Sequence, residues 1–97
     1  MTKLIKVVPS KNPDKKYDAH FERDNGRTKI TSFGQKNAKD YLTTGDKERR
    51  ARYRARHSKD LKTGDPTRAG FLSRYLLWGD STSLRSNIAS YKKRFNL

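Results

Sequence analysis

The fold is decided within residues 17–30, which read YDAHFERDNGRTKI. Tyr17, Ala19 and Phe21 alternate with polar residues, which is the two-residue period of a strand with one buried face. The Asn25-Gly26 pair that follows is typical of a two-residue type I′ turn, because both residues accept positive φ angles. The stretch therefore predicts a β-hairpin.

The hairpin prediction includes a register. The expected cross-strand pairs are Asp24 with Arg27, Glu22 with Lys29 and Phe21 with Ile30. In this register the charged pairs lie on one face or at the turn, and the apolar pair lies on the other face. A first strand is expected upstream, at residues 3–8, with residues 9–16 as a connector.

The chain beyond the hairpin predicts three helices. The first covers residues 46–61, begins with acidic side chains and is closed by Gly64; Tyr53, His57 and Leu61 form its packing ridge toward the sheet. The second begins at Asp65-Pro66, as N-cap and first helical residue, and ends at Gly79. It is apolar almost all round and carries Trp78, so we expect the central core helix here.

The last predicted helix starts at about Ser83. Its apolar side chains recur in steps of four, three and four residues, at Leu84, Ile88, Tyr91 and Phe95. Three cations occupy its final turn, where they suit the helix dipole. The expected architecture is a single α+β domain over residues 1–97. A two- or three-stranded antiparallel meander (strands and hairpin in residues 1–34) precedes about three helices (residues 46–97).

The composition restricts the function classes. The 97 residues include 24 Lys and Arg against 10 Asp and Glu, a net charge of +14 that is spread along the whole chain. Such an excess points to a polyanionic partner. The absence of cysteine excludes a disulfide framework and a thiolate nucleophile, and no apolar run approaches the length of a membrane span. We expect no cofactor, no metal and no membrane partner.

The strongest motif is five arginines within the eight residues 49–56. Guanidinium groups bind phosphate oxygens in pairs and release counterions, so a nucleic-acid backbone is the expected partner. A solvated helix balanced by Glu48 and Asp60, or one bound to an acidic protein, are the alternatives. The candidate nucleic-acid-binding residues are Arg49, Arg50, Arg52, Arg54, Arg56, Lys59, Lys62, Arg27, Lys29, Lys92, Lys93 and Arg94.

Signals for catalysis are weak. The chain has no glycine-rich phosphate loop and no nucleophile elbow, and we expect no catalytic residue and no enzyme activity. His57 and Asp60 lie one helical turn apart. Together with Asp18 and Glu22 they leave a small metal-dependent nuclease as a third reading.

Several motifs resemble a family of small basic proteins of unknown function that is associated with large nucleocytoplasmic DNA viruses and with algal or environmental sequences. The matching residues are Ser32-Phe33-Gly34, Asp40-Tyr41, Asp46-Lys47-Glu48-Arg49, Arg52-Tyr53, Arg56-His57 and the run from Ala69 to Trp78. The resemblance extends over about residues 17–95. Family members often carry Asn and Pro soon after the Leu-Trp pair, where this chain has Gly79-Asp80-Ser81.

The resemblance implies a viral setting and transfers no catalytic residues. We therefore expect sequence-independent binding of nucleic acid, with DNA favoured over RNA, in a virion, host nucleus or viral factory. The alternative is a minor capsid or other structural virion protein whose basic face binds acidic protein neighbours. A salt titration separates the two, because phosphate contacts lose affinity linearly in log salt.

Overall fold

The computed structural model describes residues 2–97 and contains a three-stranded antiparallel sheet followed by several helices. The strands are β1 (Lys3–Pro9), β2 (Lys15–Glu22) and β3 (Thr28–Gln35), adjacent in chain order. The helices are α1 (Tyr41–Thr44), α2 (Lys47–Arg56), a 3₁₀ helix (Ser58–Thr63), α3 (Ala69–Leu72), a π-helix (Ser73–Leu77) and α4 (Leu84–Arg94). The predicted α+β class, with a meander before the helices, is confirmed.

The hairpin between β2 and β3 is present, but its predicted register was wrong by one residue. Arg23 donates its backbone N–H to Arg27 at 2.8 Å, so the loop contains three residues, Asp24, Asn25 and Gly26. Among these three, Gly26 alone has a positive φ, of 79°. A three-residue loop of this kind needs only one left-handed residue, whereas a type I′ turn needs two.

The corrected register changes which side chains face the helices. Phe21 pairs with Lys29, and His20 pairs with Ile30. A shift of one residue moves every side chain of β3 to the other face. Ile30 is therefore 56% exposed on the open face, while Lys29 lies on the covered face and donates to the Thr67 hydroxyl at 3.0 Å.

One contiguous core joins the covered face of the sheet to the helices. The sheet contributes Phe21 and Phe33, both fully buried. The core helix, which we define as α3 and the π-helix together (residues 69–77), contributes most of the remaining apolar volume. Its buried residues and the one that follows it are Phe71, Leu72, Leu76, Leu77 and Trp78. The prediction that this segment is the central helix and that Trp78 belongs to the core is confirmed.

Two predicted helix boundaries were wrong. The first helix ends at Arg56 rather than at residue 61, because the chain tightens at His57 into the 3₁₀ helix. Gly64 closes that 3₁₀ helix in the left-handed conformation. The second helix begins at Ala69, since the Asp65 carboxylate accepts from the backbone and hydroxyl of Thr67 and stabilises a preceding turn.

The last helix of the chain was predicted from the sequence, whereas the first was not. Helix α4 begins at Leu84, close to the predicted start at about Ser83, and the Ser83 side chain caps it. Tyr91 is its most buried apolar residue. Helix α1 was not predicted, although Asp40 and Thr43 form a capping box at its start. The longest helix within residues 2–97, α4, has 11 residues, and none of the helices there is long and apolar enough to cross a bilayer.

Two glycines with positive φ offer a matched test of the packing between the sheet and the core helix. Gly26 (φ 79°) has open space around it, whereas a Cβ on Gly34 (φ 80°) would lie 2.8 Å from Leu77 Cδ1. We expect Gly26→Ala to lower the free energy of unfolding by about 1 kcal/mol, from backbone strain alone. Gly34→Ala should cost about 3 kcal/mol, since overpacking adds to the strain. Urea denaturation measures both, and equal losses would contradict the close contact at Gly34.

Candidate functional site

Helix α2 carries most of the predicted binding residues. Asp46 precedes it, and its carboxylate accepts from the backbone N–H of Arg49 at 3.0 Å. Glu48 occupies the first turn, and Arg54 and Arg56 occupy the last turn. The charges at both ends therefore interact favourably with the helix dipole. The sequence thus forms a helix here although half of its ten residues are arginines.

A column of three rings attaches α2 to the core. The Tyr53 ring lies nearly parallel to Trp78, with centroids 4.4 Å apart, and the His57 ring lies 4.3 Å away. Because the Trp78 and His57 rings both stack on Tyr53 at these distances, they must lie on opposite faces of it. The Tyr53 ring is therefore covered on both sides. The predicted packing ridge is present only in part, because α2 ends at Arg56 and Tyr53 is the one ridge residue that lies on it. Tyr53 packs against Trp78 of the core rather than forming the expected ridge against the sheet.

Two of the five arginines are bound within the protein. Arg50 donates to the Gly79 carbonyl at 3.1 Å and lies over the Tyr41 ring. Arg54 donates twice to the Trp78 carbonyl, at 3.2 and 3.0 Å, and once to Asp80 at 3.0 Å. The hydrogen bond from Arg54 holds the pKa of Asp80 below its ordinary value. Arg50 and Arg54 thus fix α2 to the chain that follows the core helix.

The other three arginines form an exposed surface, which we call the arginine face: Arg49, Arg52 and Arg56. They share one side of α2, three and four residues apart. No carboxylate within residues 2–97 lies within salt-bridge distance of any of the three. Lys59 and Lys62 are exposed on the 3₁₀ helix that continues from α2. These five residues can contact an external anion without breaking an internal contact.

The remaining predicted residues do not gather around this face. Arg27 is exposed at the hairpin turn, and Lys29 is occupied by its hydrogen bond to Thr67. Lys92 and Lys93 are exposed in the last turn of α4. Arg94 follows them and lies over the ring of Tyr75, 5.2 Å from its centroid. The structure therefore distributes the predicted residues over several surfaces of the molecule.

The metal-binding grouping considered from the sequence does not assemble. His57 Nδ1 lies 3.1 Å from the Asp60 carboxylate, as their spacing suggested. Asp18 instead accepts from the hydroxyls of Ser10 and Ser32, which hold the pKa of Asp18 below its ordinary value. Among residues 2–97, no three histidine or acidic side chains lie close enough together to hold a metal ion.

A cleft of about 490 Å³ lies between α2 and the sheet, and sequence reasoning missed it. Arg56 and His57 line it from the helix side, and Lys15 and Lys39 line it from the sheet and the loop after β3. The position of Lys15 could have been predicted from the alternation in β2. Lys15 lies two residues before Tyr17, so its side chain is on the same, covered face of the strand. Lys39 lies in a loop, where no periodic pattern indicates its position.

Comparison with known proteins yields one match. A family model described as a family of unknown function (DUF5754) matches residues 5–57, more than half of the chain. This segment includes all of β1 except its first two residues, together with β2, β3, α1 and α2. No curated protein and no solved structure matches the chain. The match supports the expected relation to a family of unknown function and carries no viral association.

The two groups of arginines on α2 predict different effects on stability. Arg54→Met keeps the aliphatic stem but removes the donors to Trp78, so we expect a loss of about 1–2 kcal/mol in the free energy of unfolding. Arg52→Met, on the arginine face, should change it by about 0.5 kcal/mol or less. Thermal or urea denaturation of the two variants measures the difference. Equal stabilities would show that the Arg54 hydrogen bonds do not hold α2 in place.

Proposed function

We propose that this chain, which belongs to a family of unknown function (DUF5754), is a nucleic-acid-binding protein that contacts phosphates through the arginine face without reading sequence. The partner we favour is DNA. Binding is the whole of the proposed activity, and it needs no cofactor.

One observation carries the proposal, namely the different environments of neighbouring arginines on one helix. Arg50 and Arg54 are occupied by backbone carbonyls, whereas Arg49, Arg52 and Arg56 are exposed and without a carboxylate partner within residues 2–97. Like charges on one helix side destabilise it. A phosphate backbone would offset this repulsion and accept paired hydrogen bonds from the guanidinium groups.

The rest of the molecule supports the proposal through its charge. A net charge of +14 attracts polyanions from any direction and speeds their association. Lys59 and Lys62 extend the arginine face along the chain. Contacts to phosphate alone give little sequence preference.

The alternative is a structural protein of a virion whose basic face binds acidic protein neighbours. Two exposed isoleucines favour it, Ile5 at 53% and Ile30 at 56% exposure. Both belong to strands, β1 and β3, and large exposed apolar side chains are more typical of protein contacts than of phosphate contacts. This alternative predicts retention of capsid components on the immobilised protein.

The viral setting is itself a proposal and rests on the resemblance of the sequence motifs. It suggests that the protein acts close to viral DNA in the virion, the host nucleus or a viral factory. Immunodetection of the protein in purified virions tests this separately from the binding activity.

The arginine face makes a quantitative prediction about salt. Changing Arg52 and Arg56 together to Gln should flatten the slope of log affinity against log salt by roughly two, because about one counterion is released for each phosphate neutralised. The loss should be similar for DNA duplexes of unrelated sequence. Fluorescence anisotropy at three salt concentrations measures both quantities.

The matched control removes the same charge elsewhere. Lys3 and Lys6 are exposed on β1, where they pair with Glu22 and His20 on the open face of the sheet. Lys3→Gln with Lys6→Gln should leave the slope close to that of the unmodified protein. The proposal fails if both double variants behave alike, or if the unmodified protein does not bind DNA at low salt.

A further inference from the structure

A small pocket lies where α2, the core helix and α4 meet. Its volume is about 220 Å³, and it is lined by three arginines that come from three different elements. Arg54 belongs to α2, Arg74 to the π-helix and Arg94 to the last turn of α4. We call these three side chains the arginine pocket. The sequence separates them by 20 residues each, so no local pattern reveals the site.

Arg74 is the most unusual member of the arginine pocket. It is partly buried, and its guanidinium group makes no hydrogen bond or ion pair with any residue in the range 2–97. Its guanidinium carbon lies 4.6 Å from the centroid of the Tyr75 ring, and that of Arg94 lies 5.2 Å from the same ring. Burial, and then the neighbouring charge of Arg54, lower the pKa of Arg74. Arginine nevertheless remains charged, so the cost of its burial is not relieved by loss of a proton.

The carboxylates of the protein do not balance this charge. Asp80 is the one acidic residue that lines the pocket, and its side chain is 85% exposed and already bound to Arg54. Three cations and one anion leave an excess of two positive charges in a partly enclosed space. The positive charges of Arg54 and Arg94 both act unfavourably on that of Arg74, and such repulsion is stronger where solvent is excluded.

We propose that the arginine pocket binds a phosphoryl group. Arg74 and Arg94 approach from different elements and supply paired donors for tetrahedral oxyanions, while Arg54, whose donors already bind Trp78 and Asp80, contributes its positive charge. Ser90 lies on the same lining. The volume supports a group of this size, since sites for drug-sized ligands begin at about 300 Å³. The phosphoryl group comes either from free inorganic phosphate or from the terminal phosphate of a nucleic acid.

This site is separate from the arginine face, with which it shares no residue. The inference therefore does not depend on the proposed function. The variants Arg52→Gln and Arg56→Gln leave the arginine pocket intact, so phosphate binding in that double variant is expected to equal that of the unmodified protein. If DNA binding by the arginine face is refuted, phosphate binding by the arginine pocket is unaffected, and the reverse also holds.

Titration with inorganic phosphate tests the inference directly. In NMR spectra that resolve the arginine Nε–Hε groups, we expect saturable shifts for Arg74 and Arg94 and proportionally smaller, unsaturated shifts for Arg49 and Arg52. Arg74→Gln should weaken phosphate binding about tenfold or more, which is the value of one hydrogen-bonded charge. Arg85→Gln, an equal charge change on an exposed residue of α4 outside the pocket, should have little effect.

A second variant and a second ligand complete the test. Arg94 is exposed, so Arg94→Gln should fold normally and weaken phosphate binding even if Arg74→Gln is unstable. A 5′-phosphorylated oligonucleotide that shifts Arg74, where its 5′-hydroxyl counterpart does not, identifies the terminal phosphate as the source; a response to inorganic phosphate alone identifies the free anion. Unsaturated shifts in all arginines, or equal affinities in Arg94→Gln and Arg85→Gln, would overturn the inference.

Discussion

Trp78 and Gly79 join three parts of the structure, and the position of α2 with its five arginines depends on them. The Trp78 ring packs against Tyr53, and the carbonyls of the two residues accept from Arg54 and Arg50. Gly79 has no space for a side chain, because a Cβ there would lie 2.2 Å from the Tyr75 carbonyl oxygen and 3.0 Å from the Asn87 amide. The buried Asn87 in turn donates to the carbonyl of Leu76 and thereby holds α4 against the core helix.

The arginines of α2 therefore fall into an internal group and an exposed group. The helical period directs residues 50 and 54 toward the carbonyls of Trp78 and Gly79, and residues 49, 52 and 56 toward solvent. The internal arginines hold the helix at a fixed angle, so the external ones present their charges on a rigid element. Arg54 also forms one wall of the arginine pocket, where it binds Asp80. Trp78 and Gly79 thus orient the arginine face through α2, and they also hold Arg54, which lines the arginine pocket.

Local signals in the sequence were sufficient for part of the fold. The alternation in β2, the apolar period that begins at Leu84 and the apolar run that ends in Trp78 each predicted an element that the structure contains. The hairpin register depended on whether the loop had two or three residues, which the Asn-Gly pair does not decide. The core helix starts at Ala69 because Asp65 binds Thr67 in a turn, an alternative to the helix cap that the Asp-Pro pair suggested. The pairing of Arg50 and Arg54 with carbonyls depends on tertiary contacts. The helical period alone places Arg49, Arg52 and Arg56 on one side of α2, apart from Arg50 and Arg54. The carbonyls that bind Arg50 and Arg54 lie more than 20 residues further along the chain, so no local pattern reveals them.

The π-helix at residues 73–77 bears on how this chain can be compared with its relatives. The Trp78 N–H donates to the Ser73 carbonyl, five residues earlier, so this turn contains one more residue than an α-helical turn. A relative with an uninterrupted α-helix would superpose on both ends of the segment only with a one-residue gap inside it. An alignment without that gap would match Arg74 or Trp78 with residues of the relative that are not structurally equivalent to them. A difference of one residue at this turn would therefore change the position of Arg74 relative to the two ends of the segment.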